Sequence, residues 1–141
     1  MKYKIMGMVF NFLSYIPFVL PVYKARVGVV ESFEAVIRGF NLCEFSLWGS
    51  LLVFMPIIFY TISYLKIQHG LKNLSLILLY VINAVVVHFS TLAAHSWINE
   101  NASGLIQSGP FMLFYLFSMF LGLVCICIHN YKYEHNEEQE E

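Results

Sequence analysis

The amino-acid sequence predicts an all-α integral membrane protein: a bundle of four transmembrane helices, with a short interfacial amphipathic helix between spans one and two. The first observation behind this prediction is composition, because 59% of the 141 residues are hydrophobic and only 12% are charged. Soluble domains contain about 25% charged residues, so a soluble fold would expose large apolar patches. The second observation is that the apolar residues gather in four runs, each near the roughly 20 residues needed to cross a bilayer.

Residues 5–23 form the first predicted span, an apolar run that follows the basic residues Lys2 and Lys4. A secretory signal peptide begins in the same way, so cleavage of this segment is the alternative interpretation. A span is favoured because the run is long for a signal peptide and ends without a small-x-small cleavage site. Pro17 and Pro21 are expected to kink or fray the helix, which a membrane bundle tolerates when neighbouring helices satisfy the freed carbonyls.

Residues 24–44 are predicted to contain the interfacial amphipathic helix. Five apolar residues recur there at helical spacing: Val29, Phe33, Val36, Ile37 and Phe40. The opposite face would carry Glu31 together with Glu34 and Arg38, which form an i,i+4 pair, and Gly39 is placed to end the helix. Such a helix could cap the bundle or dock a partner, and the sequence leaves both roles open.

The other three spans are predicted at residues 45–65, 74–97 and 111–128. In the second span, Pro56 predicts a kink near the middle of the helix. Residues 1–131 are thus expected to form a single membrane domain. Residues 132–141 are rich in glutamate and are predicted to be a disordered, solvated tail.

The distribution of basic residues predicts the orientation of the chain. One side of a four-span protein would hold Lys2, Lys4, Lys66, Lys72 and Lys132, and the other side Lys24, Arg26 and Arg38. Because cytoplasmic loops carry the excess of basic residues, we expect a multi-pass protein of the cell membrane with both termini in the cytoplasm. The lipid bilayer is its predicted surroundings, and a net charge of -1 gives no reason to expect a nucleic-acid partner.

The third span carries the candidate functional residues. Polar groups are energetically costly inside a membrane, so their presence in a span indicates a possible function. On a helical wheel, His88, Thr91 and His95 share one narrow stripe with Asn83 beside it, and this side is predicted to face the bundle. A ligand or proton-relay role is one interpretation. The other is structural, since a neutral histidine can hydrogen-bond across helices.

No metal or cofactor site is predicted from the sequence. His88 and His95 are seven residues apart, which on a helix is about 10 Å and too far for one ion to bridge. The three cysteines, Cys43, Cys125 and Cys127, lack the spacing of a metal site and give no disulfide framework.

A second candidate site is predicted at the outer membrane face, where the start of span two and the end of span three meet. Glu44 and Glu100 would lie at the same depth as His95, and a carboxylate beside a histidine permits acid–base chemistry. Trp48 and Trp97 are predicted to anchor the helices at this interface. The structural alternative is that the carboxylates only solvate loops and cap helix ends.

Three classes of function are compatible with these residues. The first is a non-enzymatic accessory, binding or immunity-type subunit, with a membrane protein or a second copy of the chain as a possible partner. The second is an oligomeric transporter or channel with a polar seam around Asn83 and His88, although ion coupling usually relies on charged residues that these spans lack. The third is a membrane-embedded enzyme that uses the outer histidine and glutamates. Since no catalytic motif is found, the first class is preferred.

Overall fold

A computed structural model describes residues 2–27, 33–65 and 67–137 of the chain. In these residues the protein is mostly helical, with a small sheet. The α-helices are α1 (Lys2–Leu13), α2 (Leu42–Phe45), α3 (Leu47–Tyr64), α4 (His69–Asn101) and α5 (Phe111–Glu137). The strands are β1 (Pro21–Val27), β2 (Phe33–Arg38) and β3 (Gln107–Ser108), and 3₁₀ helices cover Ile16–Val19 and Gly39–Asn41.

Three of these helices are long and apolar enough to cross a membrane. They are α3, α4 and the part of α5 that ends at Lys132. Each coincides with one of the predicted spans two, three and four. The described chain is therefore compatible with a helical membrane protein, and many bulky apolar side chains point outward, as expected of a surface that faces lipid.

The first predicted span is not one continuous helix. Helix α1 has 12 residues, a length of about 18 Å against the roughly 30 Å of a hydrocarbon core. After Leu13 the chain turns into the 3₁₀ helix, and it becomes extended from Pro21 onward. Pro17 explains the break, because proline lacks the backbone N–H that the next helical hydrogen bond requires.

The first segment nevertheless runs antiparallel along the length of α5. The Lys132 ammonium lies over the Tyr3 ring, at 4.8 Å from its centroid. At the other end, the Phe18 ring lies edge-on to Phe111 with centroids 5.4 Å apart. The α1 helix and the 3₁₀ helix together therefore follow α5 from its last turns to its first turn.

The predicted amphipathic helix in residues 24–44 is wrong, because β1 and β2 form an antiparallel pair there. Ala25 pairs with Ala35 facing the helices, and the next residue along, Arg26, pairs with Glu34 on the outer side of the sheet. Short apolar patterns fit a helix or a strand almost equally, and strand pairing decides between them.

The predicted i,i+4 pair between Glu34 and Arg38 is absent for the same reason. The Arg38 guanidinium instead donates a hydrogen bond to the Val19 carbonyl oxygen, at 2.9 Å. Gly39 begins a 3₁₀ helix rather than ending an α-helix. Two members of the predicted amphipathic pattern, Val29 and Glu31, lie outside the described residues.

The three strands form one sheet of order β2-β1-β3, all antiparallel. Strand β3 lies just before α5, and Ala102 at the end of α4 bridges to Val27 of β1. We call this end of the bundle the sheet end. The opposite end, called the basic end, is formed by the start of α1, the end of α3, the start of α4 and residues 129–132 of α5.

Helices α1 and α5 approach each other closely at a pair of glycines. A Cβ atom on Gly122 would lie 3.1 Å from the Gly7 carbonyl oxygen, and a Cβ on Gly7 would meet the side chain of Ile126. Small residues at such crossings let backbones pack closely in membranes. Ser118, one turn before Gly122, is half-buried, and its hydroxyl donates a hydrogen bond to the Phe114 carbonyl oxygen at 2.9 Å.

Helix α5 extends beyond the predicted end of the fourth span. It continues to Glu137, so its last turns enter the segment predicted to be a disordered tail. Residues 138–141 of that tail lie outside the described residues.

Replacing Gly122 by leucine is expected to separate α1 from α5 and to lower the free energy of unfolding by about 1–3 kcal/mol, the usual range for overpacking. Gly70→Leu is the matched control, because it makes the same change in a helix at an exposed position where an added Cβ atom meets nothing within 4 Å. Thermal unfolding of the purified variants in one detergent measures the difference. Equal midpoints for the two variants would contradict this contact.

Candidate functional site

The interior of the bundle contains a set of polar side chains around Pro56 of α3. Proline leaves a backbone carbonyl of the preceding turn without its usual donor. The Asn11 amide nitrogen donates to the Pro56 carbonyl oxygen at 2.6 Å, and the Tyr15 hydroxyl donates to the Val53 carbonyl oxygen at 2.8 Å. These bonds attach the first segment of the chain to the middle of α3, around Pro56.

Asn83 belongs to the same interior rather than to an open site. It is fully buried, and its side-chain oxygen accepts a hydrogen bond from the Tyr115 hydroxyl at 2.9 Å. That hydroxyl also lies 3.5 Å from the carbonyl oxygen of Leu52, the group left without a donor by Pro56. Asn83 therefore links α4 to α5 close to Leu52 of α3, and its position supports a packing role.

His88, Thr91 and His95 come together at a groove of about 200 Å³ near the sheet end. Helix α4 supplies these three residues, which lie one turn apart in succession, because residues three and four apart share a helix face. Strand β1 supplies Tyr23. The groove is lined by Val22, Tyr23, His88, Thr91, Leu92, His95, Ser108, Gly109 and Met112.

The four residues of the predicted polar stripe therefore lie in two different environments. Asn83 and Thr91 are buried, whereas His88 and His95 are exposed on the groove. A helical wheel of α4 predicts that all four residues face the interior. Such a wheel shows the direction of each side chain but not which elements pack against it.

Tyr23 connects the sheet to the polar side of α4. Its ring lies edge-on to the His95 ring, with centroids 5.4 Å apart, and both residues line the groove together with Thr91. Burial raises the pKa of the Tyr23 phenol above its ordinary value, and the nearby Thr91 side chain opposes that shift. The phenol is therefore neutral at physiological pH and remains available for hydrogen bonding.

The groove offers hydrogen bonding and apolar contact together. Imidazole and hydroxyl groups both donate and accept hydrogen bonds, so His88, His95 and Ser108 can receive a polar group of either kind. Leu92 and Met112 supply apolar walls. Within the described ranges, no carboxylate lines this groove.

The residues of the predicted outer-face site are distributed over separate surfaces. Glu44 and Trp97 line a second hollow, of about 330 Å³, which lies between β2, α2 and the last turns of α4. The Glu44 carboxylate accepts a hydrogen bond from the Asn41 amide at 3.2 Å. Glu100 is exposed and lines neither this hollow nor the histidine groove, so the structure does not bring His95 together with either carboxylate there.

The two tryptophans lie at the sheet end, half exposed. Trp48 stacks on Phe89 with ring centroids 5.5 Å apart, and Trp97 contacts Phe45 at 5.4 Å. Aromatic rings at helix ends suit the headgroup region of a bilayer, and their role as interface anchors stays a prediction.

Across residues 2–27, 33–65 and 67–137, no group of three histidine, cysteine, aspartate or glutamate side chains could hold a metal ion. The three cysteines are free thiols there, and only Cys43 is exposed.

The sequence analysis missed the aromatic members of both polar groups. Tyr15 and Tyr115 complete the interior set, and Tyr23 completes the groove. The sequence signal for Tyr15 and Tyr115 is slight, since a tyrosine in an apolar run is typical of a packing or interface residue. The sequence predicts Tyr23 at the end of the first span, whereas the structure places it in β1, where its ring meets His95 of α4.

No family model matches the chain, and neither the curated proteins nor the solved structures contain a detectable relative.

Removing the Tyr115 hydroxyl is expected to destabilise the protein, because the buried Asn83 oxygen would lose its donor. We expect Tyr115→Phe to lower the free energy of unfolding by about 0.6–1.7 kcal/mol, the range measured for hydrogen bonds between membrane helices. Asn83→Leu combined with Tyr115→Phe should cost less than the sum of the single changes, because two apolar groups need no partner. Thermal unfolding of the wild type, the two single variants and the double variant in detergent completes this double-mutant cycle. Strictly additive changes in unfolding free energy would show that the bond contributes nothing.

Proposed function

We propose that the protein is a non-enzymatic accessory or binding subunit of a membrane assembly, a class that includes immunity-type proteins. We further propose that it binds a transmembrane helix of a partner protein in the groove of His88, Thr91, His95 and Tyr23. The observation that carries this proposal is the grouping of those residues on an outward-facing groove, where the chain itself leaves the two histidine side chains exposed.

The groove has the properties needed to bind a helix within a bilayer. Its polar groups lie beside exposed apolar side chains, of which Leu92 is 51% and Met112 43% exposed. Lipid tails are as apolar as leucine, so helices associate in membranes through close packing and hydrogen bonds. A partner side chain could form a hydrogen bond with His88 or His95, which lipid tails cannot do.

We also propose that the first segment makes a fourth crossing. Its α-helix and 3₁₀ helix follow α5 from Tyr3 beside Lys132 to Phe18 beside Phe111, and this contact supports a crossing despite the break. Backbone outside regular helix is tolerated in a membrane where it is buried in protein, and Ser14 and Pro17 are both buried. The excess of lysines at the basic end then favours both termini in the cytoplasm and the sheet outside.

The other two classes of function receive less support from the geometry. A transport seam would need Asn83 and His88 on one path, but Asn83 is enclosed between α4 and α5 while His88 faces the groove. An enzyme that used His95 with Glu44 or Glu100 would need them in one site, and the two glutamates lie elsewhere.

A photo-crosslinking amino acid at Leu92 is expected to capture one discrete partner in cells. Leu78 is the matched control, because it lies on the same helix with a similar exposed fraction, 55% against 51%, and outside the groove. His88→Leu should weaken the Leu92 product while the protein accumulates normally. A product of twice the chain mass would identify a second copy as the partner. The same products from both positions, or none from Leu92, would contradict the binding groove.

The topology predicts that cysteines at the two ends of the bundle lie on opposite sides of the membrane. Gly70 and Gly104 suit the test, because a Cβ atom at either meets nothing within 4 Å. In a chain without its native cysteines, Gly104→Cys should react with an impermeant maleimide in intact cells. Gly70→Cys and Lys2→Cys should react only after permeabilisation. Labelling of Lys2→Cys together with Gly104→Cys would contradict the fourth crossing, and labelling of Gly70→Cys alone would reverse the orientation.

A further inference from the structure

The basic end of the bundle gathers basic side chains from three helices. They are Lys4 of α1, Lys72 of α4, and His129 and Lys132 of α5. Two of these lysines contact aromatic rings. The Lys4 ammonium lies 4.5 Å from the Tyr64 ring centroid, and the Lys132 ammonium lies 4.8 Å from that of Tyr3. Such cation–π contacts orient an ammonium group without neutralising its charge.

Lys72 is the most unusual member of this group, because it is only 7% exposed. Lysine is almost never buried to this extent unless its charge is paired. Within the described part of the chain, Lys72 has neither a salt bridge nor a side-chain hydrogen bond, and the charged group found to act on it is Lys4, which repels it. The Asn130 amide donates a hydrogen bond to the Asn73 side-chain oxygen at 2.7 Å, so the neighbouring residues His129 and Lys72 lie where α5 contacts the start of α4. Burial, first, and nearby positive charges, second, lower the pKa of His129, so its imidazole would offer an anion a neutral N–H donor.

The start of α4 adds to the positive potential. This helix begins at His69, has no acidic residue in its first turn, and receives no side-chain hydrogen bond from Gln68 at its N-cap. The backbone N–H groups of a first helical turn favour an anion. Lys72 lies in that first turn, so its ammonium and the helix terminus act in the same region.

The depth of this region corresponds to the edge of a bilayer. The apolar run of α4 begins at Leu74, two residues after Lys72, so Lys72 lies about 3 Å along the helix axis from the start of the apolar run. Tyr3 and Tyr64, which hold the neighbouring ammonium groups, are residues of the kind that prefers the headgroup region. An anion bound at this site would therefore lie at the depth of the phospholipid phosphates.

We propose that Lys72, with Lys4 and His129 beside it, forms a binding site for a phosphate group, that of an anionic phospholipid. The phosphate would supply the counter-charge that the described part of the chain does not give to Lys72. This site lies at the opposite end of the bundle from the partner groove and is independent of it. Free phosphate shares the same chemistry and is distinguished by experiment.

The test uses the full chain purified in a neutral detergent, with thermal unfolding followed as lipid is added. Phosphatidylglycerol is expected to raise the unfolding midpoint, and phosphatidylcholine is expected to raise it much less, because a ligand of the folded state stabilises it by mass action. Inorganic phosphate is added in a third series. A shift with phosphatidylglycerol alone identifies the lipid, and an equal shift with inorganic phosphate identifies a free phosphate site.

Lys72→Met tests the residue itself. Loss of one charge-assisted bond should raise the lipid concentration for half-maximal shift by about tenfold or more. Without anionic lipid, this variant should unfold no earlier than the wild type, because it removes the repulsion between Lys72 and Lys4. Lys72→Arg should keep the response, and Lys24→Met, which removes a lysine at the sheet end, should leave it unchanged.

Two results would overturn the proposal. One is a wild-type midpoint that rises equally with phosphatidylglycerol and phosphatidylcholine and does not respond to inorganic phosphate. The other is a Lys72→Met variant that responds to phosphatidylglycerol as the wild type does.

Discussion

The fold depends on the way in which the protein satisfies the backbone of α3 around Pro56. In a bilayer there is no water to hydrogen-bond a carbonyl that a proline has left without its donor, so neighbouring side chains must do so. The missing N–H of Pro56 frees the Leu52 carbonyl, and the Tyr115 hydroxyl of α5 lies beside that group at 3.5 Å. Asn11 and Tyr15 bond to the neighbouring Pro56 and Val53 carbonyls, and these bonds attach the first segment to the same part of α3.

The two ends of this bundle differ in chemistry. At the sheet end, Tyr23 of β1 lies against His95 of α4, so the sheet forms part of an outward-facing groove with hydrogen-bonding groups. At the basic end, ammonium groups lie on aromatic rings, and Lys72 is buried beside Lys4. The sheet end therefore suits a neutral polar group of a partner, whereas the basic end suits an anion. Both assignments follow from side chains at the two ends, the exposed histidines of the groove and Lys72, for which the described part of the chain shows no ion pair.

The comparison of Asn83 with His88 shows why the polar residues of one helix have separate roles. They are five residues apart, which turns the side chains about 140° from each other around the axis. Asn83 is enclosed against Tyr115, whereas His88 faces the groove. A helical wheel predicted that polar groups cluster on one side of α4. Only the positions of α5 and β1 show that this side is partly covered and partly open.

The sequence by itself determined the three long apolar helices and the interruption expected at Pro17 and Pro21, because length, composition and proline chemistry are local properties. The tertiary structure decided that residues 24–44 contain paired strands, since Val36 and Ile37 fit a helix or a strand until β1 is beside them. It also decided the burial of Lys72 and the meeting of Tyr23 with His95, because contacts between residues distant in sequence are set by packing.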